Sequence, residues 1–298
     1  MNAAADPLPM PLKAVIYATD MSSCSENAGR YASLLARQFG ADLLVSHAFV
    51  LSQAALEVEA GAKPSHKSRQ RQDLEIALTD EAQRLGADAK SWTPILLEGD
   101  AREQIPRIAQ ENAPSIIVLG TSGKGRIERG LVGSVAEGIL RSTNVPSLTV
   151  GPLVPALDPG TSPFRRILYA TGLSTAAARG AAYAVGIAKA FHATMDVLHV
   201  INPVDVEHPD RFNEIQRRFR TVLDSIVPEQ AADICNPEGF VEVGKAQDQI
   251  LSHIREFSVD LLVLSIRKSS HLWLASRMSG AFQIVADAPC PVMTITGE

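Results

Sequence analysis

The sequence predicts an α/β protein made of two tandem domains of one kind, and three observations carry that prediction. The same series of landmarks runs twice along the chain, short β-branched apolar runs alternate with helical periodicity in each half, and a Pro- and Gly-rich segment separates the halves. Ala14-Val-Ile-Tyr-Ala-Thr19 returns as Arg166-Ile-Leu-Tyr-Ala-Thr171, and Val45-Ser-His47 as Val197-Leu-His199. Ser115-Ile-Ile-Val-Leu119 returns as Asp260-Leu-Leu-Val-Leu264, and Val145-Pro-Ser-Leu-Thr-Val150 as Cys290-Pro-Val-Met-Thr-Ile295. The late landmarks keep one offset, since Leu264 follows Leu119 by 145 residues and Pro291 follows Pro146 by 145. A period that long is a domain duplication, because solenoid repeats run about 20–50 residues.

Met1 to Pro11 is rich in Ala and Pro and lacks the charged start and apolar core of a secretory signal, so 1–11 is expected to be a disordered tail. The first domain is expected over 12–151, with strands near 13–19, 42–49, 93–97, 115–120 and 146–151. Helices fill the gaps. Ala28, Tyr31, Ala32, Leu35 and Phe39 recur at the three-and-four spacing of one helical face, as do Leu74, Leu78, Ala82 and Leu85. Strands alternating with helices in this way give βαβ units and a parallel sheet. A linker over 152–163 leads to a second domain over 164–298, where Phe212, Ile215, Phe219, Val222 and Ile226 form the matching stripe.

Composition narrows the function. The 298 residues are 46% hydrophobic and 20% charged, and no apolar run approaches the ~18 residues of a membrane span. A net charge of -5 offers no basic excess for a phosphate backbone, which argues against nucleic acid as a partner. The three cysteines, Cys24, Cys235 and Cys290, lie far apart, which argues against a disulfide framework or a structural zinc site and for a cytoplasmic protein.

The stretch that carries chemistry is Gly120-Thr-Ser-Gly123-Lys-Gly125-Arg-Ile-Glu-Arg-Gly130-Leu-Val-Gly133-Ser134, after the fourth strand. Glycines admit close approach to the backbone, and successive N–H groups in such a loop can cradle an anion. Ser134 and Glu137 have the spacing of an S-x-x-E capping box at a helix start, where the helix dipole favours negative charge. The same residues could equally just cap a helix and turn the chain. A Walker loop, G-x4-G-K-S/T, fails because Arg126 and Ile127 stand six and seven residues after Gly120. A dinucleotide fingerprint fails because it belongs after the first strand. Gly120, Gly123, Gly133 and Ser134 do fit G-x2-G-x9-G-S/T.

With that loop, Ala18-Thr19-Asp20 ending the first strand, Glu98-Gly99-Asp100 after the third and Pro146 before the last, the chain resembles the universal stress proteins of the tandem type, over roughly 12–151 and 164–297. The resemblance implies, in each domain, a doubly wound five-stranded parallel sheet in the order 3-2-1-4-5 with four helices. It also implies that the two domains pair as an intramolecular pseudo-dimer through their matching terminal strands, with a homo-dimer as a further possibility. It implies bound adenine nucleotide, ATP with or without Mg2+. Ala18, Thr19 and Asp20 would lie at the nucleoside, Ala48 beside the base, Leu119, Gly120, Ser122 and Gly123 along the ribose and first phosphates, and Gly133, Ser134 and Val135 at the phosphate tail. The switch-point rule independently places a ligand where Asp20 and Gly120 end neighbouring strands. Lys124 and Arg126 either add charge or form a solvated flank, and Asp20 either meets the nucleoside or caps the following helix. The function so implied is a stress-response protein that holds ATP as a regulatory ligand. A slow ATP hydrolase and a nucleotide-independent protein-binding scaffold are the alternatives.

The second domain departs from the pattern. Ser265, Lys268 and Met278 stand opposite Gly120, Gly123 and Gly133, and Gly172 replaces Asp20, so this domain is expected to keep the fold and lack the site. A different ligand beside Trp273 and Met278 is the lesser reading there. His47 and His199 occupy equivalent positions and are read as structural, and His208 among Asp205, Glu207 and Asp210 as an acidic solvated loop. No catalytic and no metal-ligating residue is assigned.

Overall fold

In a computed structural model, the described residues are 12–50, 65–86, 89–121, 131–157, 162–172, 177–206, 209–226, 235–267 and 280–297. The expected tail, together with Ser122, Gly123, Lys124, Arg126, His208, Lys268, Trp273 and Met278, lies outside them. The described chain forms two compact units. One comprises Leu12 to Thr121 with Gly133 to Val145, and the other Leu131, Val132 and the chain from Pro146 onward.

In the N-terminal unit, β1 (Ala14–Ala18) lies between β2 (Asp42–Phe49) and β4 (Ser115–Gly120), with β3 (Ser91–Glu98) outside β2, all parallel. The apolar strands β1 and β4 are buried on both faces, as a parallel sheet covered by helices requires. Helix α1 (Glu26–Phe39) buries Ala28, Tyr31, Ala32 and Leu35, the stripe read from the sequence, and ends at Gly40 in the left-handed region (φ 60°). Helix α2 (Ser65–Gly86) buries Leu78, Ala82 and Leu85. Helix α3 (Ala101–Glu111) is capped by Asp100, whose carboxylate accepts the Arg102 N–H at 2.9 Å, and α4 (Ser134–Ser142) packs beside it.

The C-terminal unit contains β5 (Ser147–Val150), β6 (Arg166–Ala170), β7 (Thr194–Ile201), β8 (Glu238–Val243), β9 (Leu261–Arg267) and β10 (Val292–Gly297). Its helices are α5 (Ala177–Phe191), α6 (Pro203–Val206), α7 (Pro209–Ile226), α8 (Ala246–Glu256) and α9 (Gly280–Asp287). The second repeat shows the order 3-2-1-4-5 as β8-β7-β6-β9-β10, and the first keeps 3-2-1-4 as β3-β2-β1-β4. The fifth strand of the first repeat, β5, pairs antiparallel with β10, from Thr149 opposite Val292 to Ser147 opposite Thr294. The matching terminal strands therefore do pair. Thr149 Oγ1 donates to Val292 O at 3.0 Å and Thr294 Oγ1 to Ser147 O at 3.2 Å, so each strand's threonine binds the other's backbone.

A buried charged cluster is built into this unit's core. Asp196, 1% exposed, accepts from Arg166 Nε (2.9 Å) and Nη2 (3.1 Å) and from His253 Nε2 (3.0 Å). The Arg166 guanidinium also lies 4.8 Å from the centre of the Phe257 ring, and Phe240 and Phe257 flank His253. Burial opposes ionisation of Asp196, but the hydrogen bonds from His253 and Arg166 outweigh it and hold the carboxyl below its ordinary 3.8. Because the folded value is depressed, the stability Asp196 contributes is present above about pH 4 and is lost as pH falls through that lower value.

The first repeat has Ala14, Leu44 and Ile108 at the positions of Arg166, Asp196 and His253. Replacing Asp196 by Leu alone leaves two donors without an acceptor and should cost about 3 kcal/mol, the low end for breaking a buried pair, since Arg166 is partly exposed. Copying all three first-repeat residues, Arg166→Ala, Asp196→Leu and His253→Ile, should recover stability to within about 1 kcal/mol of the parent. Urea unfolding of the two variants checks this, and a single replacement as stable as the triple one contradicts it.

Candidate functional site

The site begins where β1 ends. Ala18 sits in register between Ser46 of β2 and Leu119 of β4, and β1 ends there. Thr19 continues the ladder by donating its N–H to Ser46 O at 3.0 Å, and its own carbonyl accepts from His47 Nδ1 at 2.8 Å. A carbonyl only accepts, so His47 carries its proton on Nδ1.

A buried hydroxyl cluster fixes the turn that follows. Tyr17 OH donates to Ser25 O at 2.8 Å and lies 3.1 Å from Glu81 Oε1 of α2, and Thr19 Oγ1 lies 3.1 Å from Ser25 Oγ and 3.4 Å from both Glu81 oxygens. Burial, then the Glu81 charge, push the Tyr17 phenol well above its ordinary value of 10, so it stays a donor. Thr19 Oγ1 accepts the Met21 N–H at 2.9 Å, and Met21 takes the left-handed conformation (φ 57°). Asp20 does not cap α1, whose N-cap is Ser25. Its Oδ1 accepts the N–H and the hydroxyl of Ser22, closing an Asx turn in the loop.

Across from it, β4 runs out through Leu119 and the half-buried Gly120 to Thr121. Thr121 O accepts the Gly133 N–H at 2.7 Å, which brings the start of α4 directly beside the end of β4. Gly133, with φ -60° and ψ 146°, is the N-cap of α4, which places Ser134 in the first helical turn. This corrects the expected capping box. The Glu137 N–H bonds to Gly133 O at 2.9 Å, so the helix starts one residue earlier than that box requires, and the Glu137 carboxylate turns to Arg141 one turn on (2.8 Å). No side chain caps α4 among the described residues, so its first-turn amides are left open beside the end of β4, with Ser134 and Val135 exposed. A Cβ on Gly133 would stand 3.1 Å from Thr121 O, and the Thr121 hydroxyl, 1% exposed, has no partner among the described residues. Ala48, also half-buried, lies in β2 opposite Leu97 of β3.

The second repeat reproduces the frame. Thr171 N–H donates to Leu198 O (3.0 Å), Thr171 O accepts from His199 Nδ1 (2.9 Å) and Tyr169 OH donates to Ala177 O (2.6 Å). The mouth differs. Ser265, opposite Gly120, sets its hydroxyl 3.1 Å from Tyr169 OH, and a Cβ on Gly180 of α5 would meet that hydroxyl at 1.9 Å. Gly180 corresponds to Ala28, so the glycine has moved from the strand end to the helix while the side chain has moved from the helix to the strand end.

Comparison with known proteins accords with this frame. The model of the universal stress protein family matches residues 11–151 and again 163–296. The chain belongs to the universal stress protein family. It is 27% identical over 142 residues to universal stress protein MJ0531 of Methanocaldococcus jannaschii, an alignment covering 46% of this chain and 81% of the relative. To universal stress protein MJ0577 of the same organism it is 24% identical over 152 residues, covering 46% and 94%. A solved universal stress protein from Archaeoglobus fulgidus shares the fold over 96% of this chain and 98% of its own, with a TM-score of 0.72 at 19% identity.

In this member of the family, His47 and His199 are strand-end pins, as their matched positions suggested. Among the described residues no group of three or more His, Cys, Asp or Glu could hold a metal, and no helix is long and apolar enough to cross a membrane. Glu81, Ser25 and Thr121 were not among the residues picked from the sequence. The Tyr repeated at positions 17 and 169 was the available signal for the hydroxyl cluster, whereas Glu81, 64 residues from Tyr17, gave none.

Cys24 is exposed, while burial pushes the thiols of Cys235 and Cys290 up to about 11 and about 12. Native protein at pH 8 should therefore give one fast-reacting thiol per chain with a disulfide reagent and the other two only on unfolding. Two fast thiols in native protein would contradict this. Glu81→Leu should lower stability by about 1 kcal/mol by removing an acceptor from two buried hydroxyls that keep other partners. An unchanged urea midpoint would show that Glu81 carries nothing.

Proposed function

We propose that this stress-response protein binds an adenine nucleotide in its first repeat and uses it as a regulatory ligand. The observation that carries the proposal is the mouth at the ends of β1 and β4, where the α4 N-terminus is drawn by the Gly133 to Thr121 bond beside a buried threonine hydroxyl without a partner among the described residues. Those residues fit a phosphorylated ligand. The first-turn amides of α4 offer donors and a positive dipole end, Gly133 lies so close to Thr121 that a Cβ would stand 3.1 Å from its carbonyl oxygen, and the Thr121 hydroxyl can supply or accept one further hydrogen bond. Gly133, Ser134 and Val135 would hold the phosphate tail, Leu119 and Gly120 the ribose side, Ala18, Thr19 and Asp20 the nucleoside, and Ala48 the base. Ser122 and Gly123, the other two residues assigned to this ligand, lie outside the described segments.

The residues here bind and orient rather than catalyse. The Asp20 Oδ1 is engaged by Ser22, and the turn it closes is held by His47 and the hydroxyl cluster, so the β1 end is a rigid rim for a ligand. ATP supplies the anionic triphosphate and the base. Mg2+ would be carried by the phosphates.

Equilibrium dialysis with labelled ATP, with and without Mg2+, should saturate near one equivalent per chain, in the first repeat. The second mouth has Ser265 for Gly120 and Gly172 for Asp20. A plateau near two overturns the single-site reading, and no binding overturns the proposal. Gly133→Met should abolish binding while the helical circular dichroism stays unchanged, because losing two charge-assisted bonds to phosphate costs about 3 kcal/mol, or roughly a hundredfold. Returned nucleotide analysed after prolonged incubation should be ATP. Accumulating ADP over many turnovers would make the chain a slow hydrolase instead.

A further inference from the structure

The chain on either side of α4 belongs to the C-terminal unit. Leu131 and Val132 precede the helix and Pro146 with β5 follows it, and both segments are counted with that unit, while Gly133 to Val145 packs with the N-terminal one. Val132 is packed against the apolar cluster that includes Leu168, Leu198, Ile254, Leu262 and Val285. Four residues separate α4 from β5, which is bonded to β10 through Thr149 and Thr294. The helix whose N-terminus is bonded beside the end of β4 is thus bracketed in sequence by two anchors in the C-terminal unit.

From this bracketing we infer that nucleotide binding in the first repeat is coupled to the stability of the C-terminal unit, with Val132 as the coupling residue. The inference rests on the nucleotide reading given above. A ligand that fixes Gly133 and the α4 amides also fixes the residue bonded to Gly133, and Val132 can follow only within the core it occupies. Ordering one end then lowers the freedom lost at the other, and linkage requires the effect to run both ways. On this account the second repeat, without a matching mouth of its own, responds to the ligand held by the first.

Hydrogen exchange on the full chain, with and without saturating ATP, tests this. The amides of Leu261–Arg267 and Gly280–Asp287 are expected to slow by about threefold or more when ATP binds. In Val132→Ser, ATP should still bind, about threefold or more weakly, and the slowing in those two segments should vanish. If ATP binds the parent and slows only the amides around β4 and α4, the coupling is wrong and the nucleotide reading stands. If Val132→Ser keeps both the affinity and the distant slowing, Val132 is not the link and the inference fails. If ATP does not bind the parent at all, both fail. Unchanged near-ultraviolet circular dichroism and urea midpoint of Val132→Ser separate loss of coupling from loss of fold.

Discussion

The central strand of each repeat has to stop at a fixed place, and the pins that stop it organise what lies around it. In the first repeat Thr19 O is held by His47, and Tyr17 OH reaches the carbonyl of Ser25 at the start of α1. In the second, Thr171 O is held by His199 and Tyr169 OH by Ala177 O. Each bond contributes about 1 kcal/mol net, and the tyrosine hydroxyls keep second partners in Glu81 and Ser265. Moving the strand end by one residue would break both, so the turn into the first helix, and with it Asp20 or Gly172, is placed by hydrogen bonding rather than by the loop's own preference.

From one frame the two repeats put their buried polar groups in different places. The first gathers them at the mouth, where Tyr17, Thr19, Ser25 and Glu81 lock the turn beneath the candidate ligand. The second gathers them at the opposite, amino-terminal ends of its strands, where Arg166 and His253 close on Asp196. At its mouth, a serine hydroxyl and a helix glycine stand where the first repeat has a strand glycine and a helix alanine. The exchange keeps the packing volume nearly constant. It also replaces the backbone-lined strand end, which suits an anion, with a side chain committed to Tyr169.

The first repeat is completed by a strand that lies with the second. Thr149 and Thr294 each spend their hydroxyl on the opposite strand's carbonyl, so β5 is held by side chains as well as by its ladder to β10. An unpaired strand in that position would be an aggregation edge. Pairing removes it and gives α4 a fixed point a few residues beyond its end.

Much of this was legible in the linear chain. The duplicated landmarks, the alternation of β-branched runs with helical stripes and the spacing of Gly120, Gly123, Gly133 and Ser134 sufficed for the fold class and the family, and the resemblance to that family implied the strand order. These are local or periodic properties, set by backbone sterics and by which faces must be buried, and they survive without knowledge of distant contacts. Tertiary structure decided the rest. That Gly133 and not Ser134 caps α4 depends on a bond to Thr121, twelve residues away. That Glu81 joins the strand end, that Asp196 is buried between Arg166 and His253 and that Val132 packs in the second repeat's core all join residues far apart in sequence. Such pairings leave no period in the sequence, because a side chain's partner across the fold is chosen by where the helices and sheet bring it and by which buried group still lacks a hydrogen bond.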